Sequence, residues 1–412
     1  VGLNASFTFD RAGQGLFYYG QIDGEAQSFS IVYDCGTLRN IKGAYSNLSD
    51  VIRNSFANKI DTRQPIGLLA ISHFDTDHIS HIPELLKIAT VDTVMIPHVA
   101  KEIRAVLFAK FVSEAHESNE RGGDWDNLRD FALLFSDPAM YFSEMGRARQ
   151  VIGIRGSDDV DDGDNTEGPP QIFYVEGGQH SGGESIPNYF VHSGSPLFCS
   201  RIDKIEWLFR PLNVQEALPP SFYQEVRDLL SGHGDDWRSL LSDMKLIKSL
   251  RDIHDRYIGG EKHRNAHSLL LRHKPANYAR LYTKRCDYDK LKCFECCNAC
   301  YKRNYYVRTA TVLLGDLVIN DKAKKALAKH RFLSDGVGVA LIPHHGAVSG
   351  DLAWLDKKLK NNGYCAALAV SYGTKNIYGH PRFIRDGTMA KISSPVVFVN
   401  ENSDFCYRIR VY

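Results

Sequence analysis

Residues Ser72-His73-Phe74-Asp75-Thr76-Asp77-His78-Ile79-Ser80-His81 hold a dense run of metal-competent side chains. His73, Asp75, Asp77 and His78 fall within six residues, directly after the apolar run Gly67 to Ile71, where a strand should end and a helix begin. A turn at a strand end can aim alternate side chains into one space, and short spacing lowers the entropy cost of gathering ligands for a divalent ion. A helix N-cap alone would use one carboxylate, from Asp75 or Asp77, and leave the histidines exposed. His81, three residues past His78, reads as a polar neighbour on the same helix rather than a ligand.

Four other apolar runs turn ionisable at their ends. They are Ile31 to Asp34 with Cys35-Gly36, Thr311 to Leu314 with Gly315-Asp316, Val339 to Ile342 with Pro343-His344-His345-Gly346, and Ala366 to Ser371 leading to Tyr378-Gly379-His380-Pro381. Taken singly, Gly-Asp and His-Pro are ordinary turn dipeptides. Together, five strand ends presenting His or Asp predict one edge of a sheet with a shared metal site. A divalent ion lowers the pKa of a bound water from 15.7 to about 7, so hydroxide is present at neutral pH, and a second ion can stabilise the leaving oxygen.

These ends need a scaffold. Ten short β-branched runs read as strands, the others being Thr93–Pro97, Ile172–Val175, Trp207–Phe209, Ser268–Leu271 and Val396–Val399. Helical stretches run over His81–Ala89, Ala100–Glu117, Asp126–Phe135, Pro220–Leu230, Asp235–Tyr257 and Leu352–Lys360. Strands and helices interleave irregularly, which predicts a layered α/β protein. The 412 residues are 43% hydrophobic and 24% charged, with 50 Lys and Arg against 49 Asp and Glu, a globular composition without a whole-chain basic footprint. No window reaches the ~18 apolar residues of a membrane span, and nine Cys, an odd number, do not form a secreted disulfide framework. A cytoplasmic protein without membrane attachment is the expectation.

With these motifs in order, the chain resembles the metallo-β-lactamase superfamily. His73-x-Asp75-x-Asp77-His78 is similar to that family's His-x-His-x-Asp-His motif, with Asp75 in place of the second His. The succession of landmarks, together with Asn265-Ala-His-Ser268 before a strand, is most similar to the metallo-β-lactamase-like domain of the bacterial competence DNA-uptake channel protein. The resemblance implies a four-layer αβ/βα sandwich with a large, mainly helical insertion. Residues 1–98 and 265–412 would be the two halves of the domain and 99–264 the elaboration, with an acidic loop at 155–170. It implies His73 and Asp75 on one metal, Asp77 and His78 on a second, and Asp316 bridging, with His345 or His380 completing the second site and Asp34 behind the ligands. Asp77, His344, His345 and His380 are the candidate catalytic residues; which of His344 and His345 is the ligand stays open. One or two divalent ions follow, Zn²⁺ or Mn²⁺ with Mg²⁺ also admitted, because a carboxylate in place of His hardens the donor set. The family's lone His between the first motif and the bridging Asp has no clear counterpart; His180, in a Gly-rich loop, is the candidate.

The substrate is less constrained. Residues 272–308 carry ten Lys or Arg against three acids, with seven Tyr or Phe interleaved, a composition suited to a single-stranded nucleic acid track or to a solvated hairpin with inward Tyr. Lys284, Arg285, Lys302 and Arg303 are the candidate contacts. Cys293, Cys296, Cys297 and Cys300 sit at helical spacing along a stripe of ~10 Å, too long for one tetrahedral ion and better read as a buried face unless the helix is broken. Three functions compete: a metal-dependent phosphodiesterase or nuclease acting on DNA, a hydrolase of a small ester, thioester or lactam, and a nucleic-acid or protein-binding module with a vestigial centre. The elaboration could cap the active edge or dock a regulatory protein partner.

Overall fold

Strand Ser28–Thr37 shows how the layers arise. Ile31 and Tyr33 face one buried side and Val32 and Cys35 the other, and all four are inaccessible to solvent. A strand apolar on both faces must be covered on both. In the computed structural model this is the central pattern of two sheets. The structure describes residues 2–38, 48–119, 128–156, 172–174, 188–191, 197–203, 205–233, 237–259, 267–276, 279–284, 308–334, 336–347, 351–361, 367–376 and 378–412.

The first sheet has nine strands, in the order β12 (Ala279–Lys284), β17 (Phe405–Val411), β1 (Asn4–Phe9), β2 (Gly15–Asp23), β3 (Ser28–Thr37), β4 (Ile66–Ala70), β5 (Val91–Pro97), β6 (Gln150–Ile154) and β8 (Asn188–Val191). The second has eight: β16 (Val396–Val399), β15 (Ala367–Ser371), β14 (Val337–Leu341), β13 (Ala310–Leu313), β11 (His267–Pro275), β10 (Ile205–Gln215), β9 (Leu197–Ile202) and β7 (Ile172–Tyr174). A core of Phe7, Tyr18, Tyr33, Leu68, Trp207, Phe209, Leu271 and Leu341 lies between them. The outer face of the first sheet packs on helices Ile82–Ile88, Lys101–Asn119, Leu128–Ser136 and Met244–Tyr257, and that of the second on Asp321–Lys329 and Leu352–Asn361. This is a four-layer αβ/βα sandwich, two sheets face to face with helices on both outer faces. No helix among the described residues is long and apolar enough to cross a membrane.

Segment 99–264 supplies five strands, β6 to β10, that extend both sheets, as well as helices that cover the first. Strands β3 to β5 run parallel to one another, as do β13 to β15, so the carboxyl ends of each set collect along one edge. Open α/β sheets place their sites at such ends. The acidic loop lies almost wholly outside the described residues, as do His180, Asn265, Arg285, Cys286, Lys302, Arg303 and the Cys293–Cys300 cluster. Lys284 is described only as backbone at the end of β12.

Candidate metal centre

The turn after β4 owes its shape to alternation. Phe74 is 1% exposed and packs on Phe135 in the helical layer, with ring centroids 5.7 Å apart. Burying a Phe is worth about 1.5–3 kcal/mol, enough to pin the turn. His73 and Asp75, on either side of it, line the cleft at the sheet edge. Asp77 and His78 follow on the short helix Thr76–Ile79. Gly36 on β3 lets this helix approach: a Cβ there would stand 2.5 Å from the backbone nitrogen of His78.

The second sheet contributes the other donors. Gly315 turns the chain after β13 with a φ of +49°, in a space where a Cβ would lie 2.9 Å from Ser72 Cβ, and Asp316 follows. His344 and His345, after β14, both hold left-handed backbone, with φ of 52° and 50°. Such strain in non-glycine residues persists where surrounding structure enforces it, often at functional sites.

Four donors converge. Asp77, His78, Asp316 and His345 each place one ligand atom within 4.8 Å of the others. His345 Nε2 lies 3.1 Å from Asp77 Oδ2 and 3.7 Å from Asp316 Oδ1, and His78 Nε2 lies 3.1 Å from Asp316 Oδ1. Metal–ligand bonds of ~2.0–2.2 Å in a tetrahedron separate donors by about 3.3–3.6 Å, so the spacing fits a divalent ion. His73, Asp75 and Asp77 form a second, overlapping group of three.

The imidazoles are held in the tautomer a metal needs. His78 Nδ1–H donates to Asp34 Oδ2 at 2.8 Å, His345 Nδ1–H donates to the Ser371 carbonyl at 2.9 Å, and His73 Nδ1 lies 2.8 Å from Ser72 Oγ. Asp34 also accepts the Ser72 backbone N–H and hydroxyl, each at 2.6 Å. Each ring therefore turns Nε2 to the common space, the usual work of residues behind metal ligands. His73 Nε2 and His78 Nε2 are buried without hydrogen-bond geometry to any group, although Asp316 is close. Buried nitrogens left this way are costly unless something else binds them. The electrostatics agree: burial opposes charge on Asp316, but His78, His345 and His344 outweigh it and hold its carboxyl well below the usual range. Burial likewise disfavours the His78 cation, and Asp316, Asp34 and Asp77 reverse that preference.

The predicted residues do not all fall together. His345, not His344 or His380, joins the four-donor group; His344 lies on the cleft wall with Nε2 4.0 Å from Asp316 Oδ2. His380 stands beside it, ring centroids 5.9 Å apart, its pKa lowered to about 4 by burial and by the neighbouring His345 and His344. Asp75 occupies the N-cap position of helix Thr76–Ile79 without capping it; its Oδ2 instead accepts from Lys110 Nζ at 2.8 Å. Burial favours neutral Asp75, but Lys110 dominates and holds the carboxyl below the ordinary range. Of the basic segment, Arg272 is buried and donates to the Ser334 carbonyl at 2.7 Å.

Lys110, Arg251, His254 and His267 also line the cleft, which has a volume of about 340 Å³, and none was singled out from sequence. The first three come from helices Lys101–Asn119 and Met244–Tyr257, so segment 99–264 forms one wall of the cleft. Lys110 carried a readable signal, a lone cation among Phe108, Ala109, Phe111 and Val112, all buried. His267, between the first motif and Asp316, is buried with both ring nitrogens unpartnered, and burial with Lys322 lowers its pKa to about 4.

No family model matches the sequence, and no curated protein does either. Solved structures similar to this one include the following two. The metallo-beta-lactamase fold protein YhfI from Bacillus subtilis is 9% identical, with 98% of this chain and 99% of that one covered, at a TM-score of 0.34. Unliganded yeast PDE1 is 8% identical, with both chains covered over 100%, at a TM-score of 0.38. At such scores no residue's role passes from either protein to this one.

Proposed function

We propose that the chain is a metal-dependent hydrolase and that phosphodiesters, DNA foremost, are its substrates. The carrying observation is the four-donor group Asp77, His78, Asp316 and His345, with its two imidazoles locked so that Nε2 faces one space at the mouth of a cleft. When bound, a divalent ion there supplies a Lewis acid and an activated water. The chain's own residues do the rest. Asp34 and the Ser371 carbonyl fix the ligand rings. His344 and His380, at the cleft wall beside the donors, would contact a substrate oxygen. Phe74, Ile103 and Leu107 give the cleft an apolar side.

DNA is favoured by the basic, Tyr-interleaved segment of residues 272–308, which enters the chain directly before Asp316 and suits a polyanion. A second reading rests on the cleft itself: about 340 Å³, walled by two helices, is within the range that holds a small ligand, which suits an ester, thioester or lactam. Cleavage of single- and double-stranded DNA with Mn²⁺, Mg²⁺ or Zn²⁺, beside a panel of small esters, tests both. Metal-dependent DNA cleavage abolished by Asp77→Ala with His78→Ala supports the first; turnover of small esters alone supports the second. Tight, salt-dependent nucleic-acid binding with no bound metal would overturn both in favour of a binding module.

A further inference from the structure

The metal edge has a feature its ligand list does not explain: an ammonium group already pairs with one of the candidate ligands. Lys110 reaches from helix Lys101–Asn119 to place Nζ 2.8 Å from Asp75 Oδ2, and the two side chains are only 20% and 19% exposed. Glu114, one turn on, lies 3.9 Å from the same Nζ and accepts the Thr76 hydroxyl at 2.7 Å, so the helix grips the motif at two adjacent residues. Arg251 of helix Met244–Tyr257 donates to the Lys110 carbonyl at 3.5 Å and stands 3.9 Å from Glu114, which backs the arrangement from the far side.

The two donor groups are unequal. Asp77, His78, Asp316 and His345 make a complete set of two imidazoles and two carboxylates. The other group owns only His73 and Asp75 and borrows Asp77, and Asp75 is already shared with a cation. A carboxylate neutralised by a partly buried ammonium is a weak donor to a divalent ion, and two cations on one carboxylate repel each other where water is partly excluded.

We infer that this chain binds one divalent ion tightly, at Asp77, His78, Asp316 and His345, and that the Lys110 ammonium takes the place of a second ion's charge beside His73 and Asp75. The inference rests on the proposed metal centre and adds its stoichiometry and the residue that sets it. It also gives the elaboration a role in the site, since Lys110 belongs to segment 99–264.

Metal content after dialysis against buffered Zn²⁺ or Mn²⁺, with calorimetric titration, tests it in the full chain. Wild type takes up one tight equivalent. Lys110→Met takes up two, the second gained by at least tenfold in affinity, whereas Lys110→Arg keeps one. Asp75→Asn gives an independent check should Lys110→Met fail to fold: it retains the single tight equivalent. Two equal equivalents in wild type, loss of metal in Lys110→Met, or loss of the tight ion in Asp75→Asn would overturn the inference while leaving a metal centre in place. No tight ion in any of these proteins would refute the centre itself, and the inference with it.

Discussion

Replacing Asp34 with Asn tests how the imidazoles are set. The carboxylate accepts three hydrogen bonds, from the Ser72 backbone N–H and Ser72 Oγ–H at 2.6 Å each and from His78 Nδ1–H at 2.8 Å. Its backbone sits at a φ of 57°, which Asn adopts more readily than most residues, so the substitution keeps the turn and changes only the chemistry. An amide offers one acceptor oxygen and one NH₂. Wherever the NH₂ points, it meets a group that was donating to a carboxylate. Facing His78 Nδ1, it forces the proton to Nε2, the atom that must hold its lone pair for the metal. Loss of such support typically lowers metal affinity by about 10–100-fold, or ~1.4–2.7 kcal/mol. A competition titration of Zn²⁺ against a chelator should show that drop, with circular dichroism confirming the fold. An affinity within about twofold of wild type would refute the orientation argument, since the arithmetic rests on a minimum tenfold loss.

Three further outcomes are expected. His345→Ala should weaken the tight metal by two orders of magnitude or more, whereas His344→Ala should leave metal binding intact and lower turnover, a split read by titration beside steady-state kinetics. Gly36→Ala sets a methyl 2.5 Å from the His78 backbone and 2.6 Å from that of Asp77; overpacking of this kind costs about 1–3 kcal/mol, visible as a lowered melting temperature together with weaker metal binding. His273 is fully buried, accepts from Trp207 Nε1 at Nδ1 and lies 2.7 Å from the Tyr18 hydroxyl, and burial lowers its pKa to about 3. Its folded value lies below the unfolded value of about 6.5, so the unfolded chain binds the extra proton first, and stability falls as pH drops from about 6.5 towards 3, by up to ~4 kcal/mol from this group. Denaturant melts of wild type and His273→Gln across that range should converge as the pH falls; parallel curves would reject it.

The sequence is most legible where apolar runs are local and end in chemistry. All ten strands expected from β-branched runs are present, although β3, β10 and β11 run three, six and four residues past the expected ends, and each of the six helical stretches coincides with a helix. Elements whose signal is dilute or non-local were not anticipated. Helix Asp321–Lys329 buries only Ala323, Ala326 and Leu327, too small a stripe to stand out from its lysines. Strand β17 pairs with β1 at the opposite end of the chain, a partnership no local period contains. The same distinction runs through the site. Donors that follow strands could be gathered from spacing, but the choice between His344 and His345 depends on left-handed backbone and on the Ser371 carbonyl. Lys110 joins the metal edge only because a helix packs across it, and tertiary packing of that sort leaves one unusual lysine as its trace.

The central claim is a metal centre at Asp77, His78, Asp316 and His345, and elemental analysis of the purified chain against Asp77→Ala with His78→Ala tests it most directly. The arrangement predicts one tightly held divalent ion per wild-type chain after exhaustive dialysis and none in the double variant. A wild-type chain that retains no ion under saturating Zn²⁺ or Mn²⁺, or a double variant that retains as much as wild type, would contradict it.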